Sequence, residues 1–213
     1  MYEVQNRGFP WHRRQAVATV PSRSSGVCRY MSDQPVIQTV SDADIPEVLN
    51  FVLKARAELF PKLSATGMPD DLARFAEVYL RGEGRFLIAR HEGQIVASIG
   101  YLAYDRRFPH LLYPDVKVVE IVRLFVLPSQ RRSGLAGALY RSLKELALAD
   151  GVEVIYLHTH PFLPGAIEFW QRQGFEIIDV DADPVWQTTH MHAVMSGIEE
   201  SAPRQTGPSG SAP

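Results

Sequence analysis

Residues 118–136 read Val118-Val119-Glu120-Ile121-Val122-Arg123-Leu124-Phe125-Val126-Leu127-Pro128-Ser129-Gln130-Arg131-Arg132-Ser133-Gly134-Leu135-Ala136. Val118 to Leu127 is the most β-prone stretch of the chain, and Pro128 ends it. From Gly134 to Ala149 the apolar residues Leu135, Leu139, Leu143 and Leu146 recur on one helical stripe, and Gly151 stands at its C-cap. A strand, a short turn and a helix therefore follow one another. The first amides of a helix lack partners within it, and the helix dipole adds about half a positive charge there. Arg131 and Arg132 bring two more positive charges, and Ser133, Gly134 and Ala136 are small enough to let an anion reach the backbone. The turn reads as a pyrophosphate seat. On local physics alone, a plain helix start with solvated arginines stays open beside it. The G-x-x-x-x-G-K-[ST] loop is absent, and Gly134-Leu135-Ala136-Gly137 lacks the dinucleotide fingerprint.

Outward from this unit, strands and helices alternate. Val36 to Val40 is a short β-type run, and Asp44-Ile45-Pro46-Glu47 opens a helix with an N-cap acid, an early proline and a capping-box glutamate. Pro61 stops that helix. A second is expected from Pro69 to Leu80. Phe86 to Ala89 and Ile95 to Tyr104 read as strands joined by a tight turn at His91-Glu92-Gly93-Gln94. A loop rich in Pro, His and Tyr runs from Asp105 to Lys117. After the central helix come a strand at Val154 to Leu157, a helix at Pro164 to Gln173, and strands at Phe175 to Val180 and Thr188 to Met195. Hairpins mixed among the alternating elements predict an α/β fold on a mixed sheet rather than a purely parallel one.

The 213 residues are 46% hydrophobic and 22% charged, which excludes wholesale disorder and fits one domain with tails. Cys28 is the only cysteine, so neither an internal disulfide nor a Cys-based zinc framework is available. A net charge of −2 provides no global attraction for nucleic acid or anionic lipid, and no apolar run is long enough to span a bilayer. The expected setting is soluble and cytoplasmic, without nucleic-acid or membrane partners. Residues 1–34 are expected to be a disordered extension, since Arg7, Arg13, Arg14, Arg23 and Arg29 stand there with no hydrophobic period. Such an Arg- and Ser-rich leader has the composition of a transit peptide, but Met31, just before the first structured-looking residues, favours an overlong start. The folded domain is placed at 35–198, with a Ser/Pro/Gly-rich tail over 199–213.

Arg131-Arg132-Ser133-Gly134-Leu135-Ala136 resembles the R/Q-x-x-G-x-G/A signature of the GNAT superfamily of acyl-CoA-dependent N-acyltransferases. Arg123-Leu124-Phe125-Val126-Leu127-Pro128 resembles the strand that precedes it, and Ala166-Ile167-Glu168-Phe169-Trp170-Gln171-Arg172-Gln173-Gly174-Phe175 its later A-x-x-x-Y-x-x-x-G-F helix. Three motifs in order, over nearly all of residues 36–195, make the likeness specific. It implies a largely antiparallel twisted sheet flanked by helices, with acetyl-CoA or another acyl-CoA in a cleft between the fourth and fifth strands. The pyrophosphate is then expected on amides from Arg132 to Ala136, with Arg131 beside it. The pantetheine arm should pair with the strand around Leu124, Phe125 and Val126, where one amide serves the thioester oxygen.

An amine must lose a proton before it attacks a thioester, and Glu120 is the candidate base, directly or through a water. It lies fourteen residues before Gly134, a spacing that resembles the base glutamate of the histone-acetylating branch. Regular alternation would put Glu120 on one face with Val122, Leu124 and Val126, where apolar neighbours raise a carboxyl pKa. The alternative is an ordinary strand carboxylate paired with Arg123 or Lys117. Where the family often has a tyrosine acid, this chain has Trp170, which is no useful acid near neutral pH. Tyr140, Tyr156, His158, His160 or a water are the replacements. His158 and His160 follow the strand bordering the cleft and imidazole titrates in the right range, though loop packing or substrate hydrogen bonding would explain them as well. His158-x-His160 has metal-like spacing but no third ligand nearby, so no metal is expected. His190 and His192 alternate on the last strand. Arg106, Arg107, His110 and Tyr113 in the long loop would suit an acceptor with an acidic or aromatic part, and a plain structural loop stays open beside that reading.

The reading favoured is an N-acetyltransferase moving an acetyl group directly from acetyl-CoA to a primary amine of a small molecule or peptide, and a homodimer is compatible with it. The rival is a catalytically weak CoA-binding module that regulates a partner protein, for which Trp170 is the best support.

Overall fold

The computed structural model describes residues 34–61 and 67–195. The expectations for residues 1–33 and for the tail lie outside the described residues. Seven strands form one sheet: β1 (Val36–Thr39), β2 (Arg85–His91), β3 (Gln94–Ala103), β4 (Val118–Val126), β5 (Val154–Thr159), β6 (Glu176–Val180) and β7 (Thr189–Val194). Their order is β1-β2-β3-β4-β5-β7-β6. Every pairing is antiparallel except β4 with β5, which is parallel. The mixed, largely antiparallel sheet expected from the sequence is therefore present.

The helices are α1 (Ile45–Leu59), α2 (Asp70–Ala73), α3 (Leu135–Ala149) and α4 (Ala166–Arg172). Leu135, Leu139, Tyr140, Leu143 and Ala147 bury the inner stripe of α3 against one face of the sheet, in a core with Ile99, Val119, Ile121 and Leu157. A second core lies on the other face, where Val48 and Val52 of α1 and Leu72 of α2 pack with Phe86 and Ile88. Covering both faces is what lets β2 to β5 read as nearly continuous apolar runs. The turn between β2 and β3 uses Glu92 and Gly93, with φ of 50° and 81°, as a two-residue hairpin demands.

Two local expectations change. The capping carboxylate is Asp44, which reaches back to the Ser41 backbone N–H at 2.9 Å and hydroxyl at 2.6 Å. Glu47 turns instead to Arg90, at 2.7 Å. The helix expected over Pro69 to Leu80 breaks at Arg74 and resumes as a π-turn over Ala76–Leu80. Tyr79 is thereby carried into the core, with its hydroxyl donating to Asp71 at 2.7 Å.

Candidate active site

Strands β4 and β5 pair only over Val118–Glu120 and Val154–Tyr156. Beyond Glu120 they part, and a cleft of about 1250 Å³ opens between them. A bulge sharpens the divergence. Ser98 faces Phe125 and Gly100 faces Val122, so three steps along β4 match two along β3. The extra residue falls at Arg123–Leu124. Arg123 takes φ of 61°, and its carbonyl accepts the Ser98 hydroxyl at 2.8 Å. Asp71 holds the Arg123 guanidinium through contacts of 2.6 and 3.1 Å. Because a bulge reverses the alternation, Leu124 and Val126 pack into the α3-side core with Val119 and Ile121. The regular face expected for Glu120, Val122, Leu124 and Val126 is thus broken. Val122 packs toward α1, and Phe125 meets Phe51 of α1 edge-on.

Glu120 sits at the last paired position before the strands part, with a side chain only 1% exposed. Arg107 of the β3–β4 loop grips it with both arms, Nη1 to Oε2 at 2.7 Å and Nη2 to Oε1 at 2.6 Å. His158 Nδ1 adds a contact of 2.9 Å to Oε1. Burial pushes the Glu120 carboxyl up, but hydrogen bonds and charge from His158 and Arg107 outweigh it, so the pKa is lowered rather than raised. Neither Arg123 nor Lys117 is the partner. A carboxylate cannot donate, so the Nδ1 of His158 carries the proton of that bond. The acceptor lone pair of the neutral ring is then on Nε2. His158 lies on β5, is about a third exposed and lines the cleft.

At the other end of the cleft, the turn after β4 leads into α3. Arg132 and Gly134 adopt φ of 64° and 84°, and a Cβ placed on Gly134 would meet nothing within 4 Å. Glycine is thus required there by backbone conformation, not by crowding. Leu124, Phe125, Val126, Arg131, Arg132, Gly134, Leu135 and Ala136 all line the cleft, and Ser133 does not. The Ser133 hydroxyl donates to Gln130 O at 2.7 Å. Arg131 is drawn toward the strand: its Nε donates to Val126 O at 3.0 Å, and its guanidinium lies 5.7 Å from the Phe125 ring centre. These features suit an acyl-CoA. A strand with one edge released, unpartnered helix amides and two arginines at one mouth match an extended arm ending in a pyrophosphate.

The replacements for the missing tyrosine separate clearly. Trp170 is buried in the core against Tyr140 and Phe175. Tyr140 lies off the cleft with its hydroxyl unpartnered, and burial pushes its pKa up to about 12. Tyr156 is fully buried, bonded to His190 Nδ1 at 2.7 Å, and its pKa is also raised by burial. His160, expected beside His158, stands off the cleft: its Nδ1 faces Trp186 O at 3.1 Å and its ring stacks on Phe162. The two rings of the His-x-His pair share no third ligand among the described residues.

Several polar side chains of the long loop find partners within the fold. Arg107 is committed to Glu120 and Asp105, His110 lies 3.0 Å from Asp179, and the Tyr113 hydroxyl lies 3.2 Å from His192 Nδ1. Arg107 thus serves the fold, while Arg106 stands exposed. The pairing of Arg107 with Glu120 carried no local signal, the two being thirteen residues apart with Arg107 in a loop.

The model of the acetyltransferase (GNAT) family matches residues 49–175. The uncharacterized N-acetyltransferase YjgM of Escherichia coli is 26% identical over 147 residues, covering 68% of this chain and 84% of its own length. Among solved structures, a GNAT-family acetyltransferase from Staphylococcus aureus superposes with a TM-score of 0.60 at 19% identity, covering 76% of this chain and all of its own. The PaiA N-acetyltransferase of Thermoplasma acidophilum, solved in complex with coenzyme A, gives 0.55 at 12% identity over 76% of this chain and 99% of its own. Sheet order, the parted β4–β5 pair and the family match agree: the chain belongs to the GNAT family and is an acetyl-CoA-dependent N-acetyltransferase.

Proposed function

We propose that the enzyme acetylates a primary amine of a small molecule or peptide by direct transfer, with His158 as the base and Glu120 as the residue that positions it. The carrying observation is the 2.9 Å contact between His158 Nδ1 and a Glu120 carboxylate that is closed to solvent. Glu120 already accepts two hydrogen bonds from Arg107 and one from His158, which leaves it poor access to an incoming ammonium group. His158 borders the cleft and turns a basic nitrogen away from the carboxylate. A carboxylate behind an imidazole fixes its tautomer and steadies the imidazolium that forms on proton uptake.

When bound, acetyl-CoA supplies the thioester carbonyl carbon to which the amine nitrogen bonds as the carbon–sulfur bond breaks. Arg132 and the first amides of α3 hold the pyrophosphate, and the β4 edge around Leu124 to Val126 holds the extended arm. His158 Nε2 removes the ammonium proton. The resulting imidazolium keeps that proton within the cleft and can deliver it to the departing sulfur, so Trp170 is not needed as an acid. An ammonium nitrogen loses two protons in becoming an amide: one ends on the thiol by way of the imidazolium, and the other leaves to solvent.

Free-thiol release from acetyl-CoA with a panel of amines tests this reading. His158→Ala should lower turnover by roughly 10²–10⁴-fold, the usual loss of a general base, while acetyl-CoA affinity holds. A wild-type rate in His158→Ala would remove it as the base, and no thiol release with any amine would favour a regulatory CoA-binding module.

A further inference from the structure

Away from the acyl cleft, four side chains from three separate stretches converge. His110 comes from the β3–β4 loop, Asp179 from β6, Asp181 from just beyond it, and His190 from β7. One ligand atom from each lies within 4.8 Å of the other three. His110 Nε2 is 3.0 Å from Asp179 Oδ2, and His190 Nε2 is 3.2 Å from Asp181 Oδ1. We propose that these four residues form a zinc site, independent of the acetyl-transfer chemistry.

The donor set is two imidazole nitrogens and two carboxylate oxygens, whose two negative charges balance one divalent cation. Imidazoles disfavour calcium and magnesium, which take oxygen, and four protein ligands are the mark of a closed structural zinc site. Zinc bonds of about 2.0–2.2 Å put tetrahedral ligand atoms about 3.4 Å apart. Two of the contacts already have nearly that spacing. The widest separation closes by rotation of His110 and Asp179, whose side chains are 43% and 44% exposed.

His190 is the fixed ligand. Its side chain is fully buried, and its Nδ1 lies 2.7 Å from the Tyr156 hydroxyl. A proton on Nδ1 donates to that hydroxyl and leaves the Nε2 lone pair directed at the cluster, the outer-shell arrangement that metal-bound histidines use. In the other tautomer Nε2 donates to Asp181, and the four residues are merely two ion pairs. The choice between these states is what a metal titration reads. Bound zinc would join the β3–β4 loop to β6 and β7 through His110, three residues from the Arg107 that grips Glu120.

The test uses the full-length protein, stripped with a chelator and titrated with Co²⁺ and then with Zn²⁺ against a chromophoric chelator. One equivalent should bind, Co²⁺ should show the intense visible bands of a tetrahedral site, and Zn²⁺ should displace it and raise Tm. His110→Ala with Asp179→Asn alters two half-exposed side chains and should fold normally. It should bind zinc more than about a hundredfold more weakly, since loss of an outer-shell partner alone costs about 10–100-fold. Absence of stoichiometric binding, or equal affinity in the double variant, would overturn the site.

Discussion

His158 Nδ1 stands 2.9 Å from Oε1 of Glu120, and the same oxygen accepts Arg107 Nη2 at 2.6 Å. One carboxylate thus joins the cleft histidine on β5 to a cation on the β3–β4 loop. In the proposed mechanism the work is divided: the buried anion orients, and the ring, about a third exposed, exchanges protons.

Glu120→Gln should therefore keep some activity where His158→Ala keeps little. The amide can present its oxygen to His158 Nδ1, but its NH₂ then faces the Arg107 fork. Turnover should fall by about 10–100-fold, less than general-base loss of about 10²–10⁴, with the shift appearing in kcat and its pH profile rather than in KM for acetyl-CoA. Equal losses in the two variants would make Glu120 the proton acceptor itself.

Stability should report the same carboxylate. Its folded pKa lies below the ordinary value of 4.5, so its stabilisation is complete above about pH 4.5 and lost as pH falls through the folded value. Urea unfolding near pH 7 should find Glu120→Gln less stable by about 2 kcal/mol, under the 3–5 of a fully buried pair because Arg107 is 38% exposed. The difference should narrow below pH 4.5. A constant difference across that range would remove the ion pair as its cause.

The two arginines of the turn should behave differently. Acetyl-CoA at a hundred times its Kd should stabilise the wild type by about 2.7 kcal/mol. Arg132→Glu should reduce that thermal shift without changing the apo protein, since Arg132 is exposed. Arg131→Glu should also lower apo stability, because it breaks the bond to Val126 O and the contact with Phe125. Full retention of the shift when Arg131→Glu and Arg132→Glu are combined would place the pyrophosphate elsewhere.

Gly134→Ala should cost about 1–2 kcal/mol through its positive φ of 84° alone, as no atom obstructs the new methyl group. Gly134→Asn should recover part of this, since asparagine tolerates the left-handed region. Comparable chemical denaturation midpoints for the two variants would contradict that account.

Asp71→Ala should destabilise by about 3 kcal/mol, since it strands the Arg123 guanidinium and frees the Tyr79 hydroxyl in a largely buried setting. It should raise KM for acetyl-CoA as well, because Arg123 belongs to the bulge that separates β4 from β5. Unchanged KM with lowered Tm would confine Asp71 to stability.

The sequence by itself determined the mixed sheet, the turn before α3 and the elements other than the helix expected over Pro69 to Leu80, which breaks at Arg74. These follow from local causes: periodicity for α3 and β4, proline at 128, and small residues with two arginines at the helix start. Glu120 was legible as a chemical group through its spacing from Gly134, and His158 through its place at the strand bordering the cleft. Their relation was not, and neither was the bulge that moves Leu124 and Val126 to the opposite face. Nor did residue type show that Arg107 pairs with Glu120, His110 with Asp179 and Tyr113 with His192. Tertiary structure decided these points for a physical reason. A carboxyl pKa, a histidine tautomer and the availability of an arginine depend on the nearest opposite charge and on access to water, and both come from residues distant in the chain.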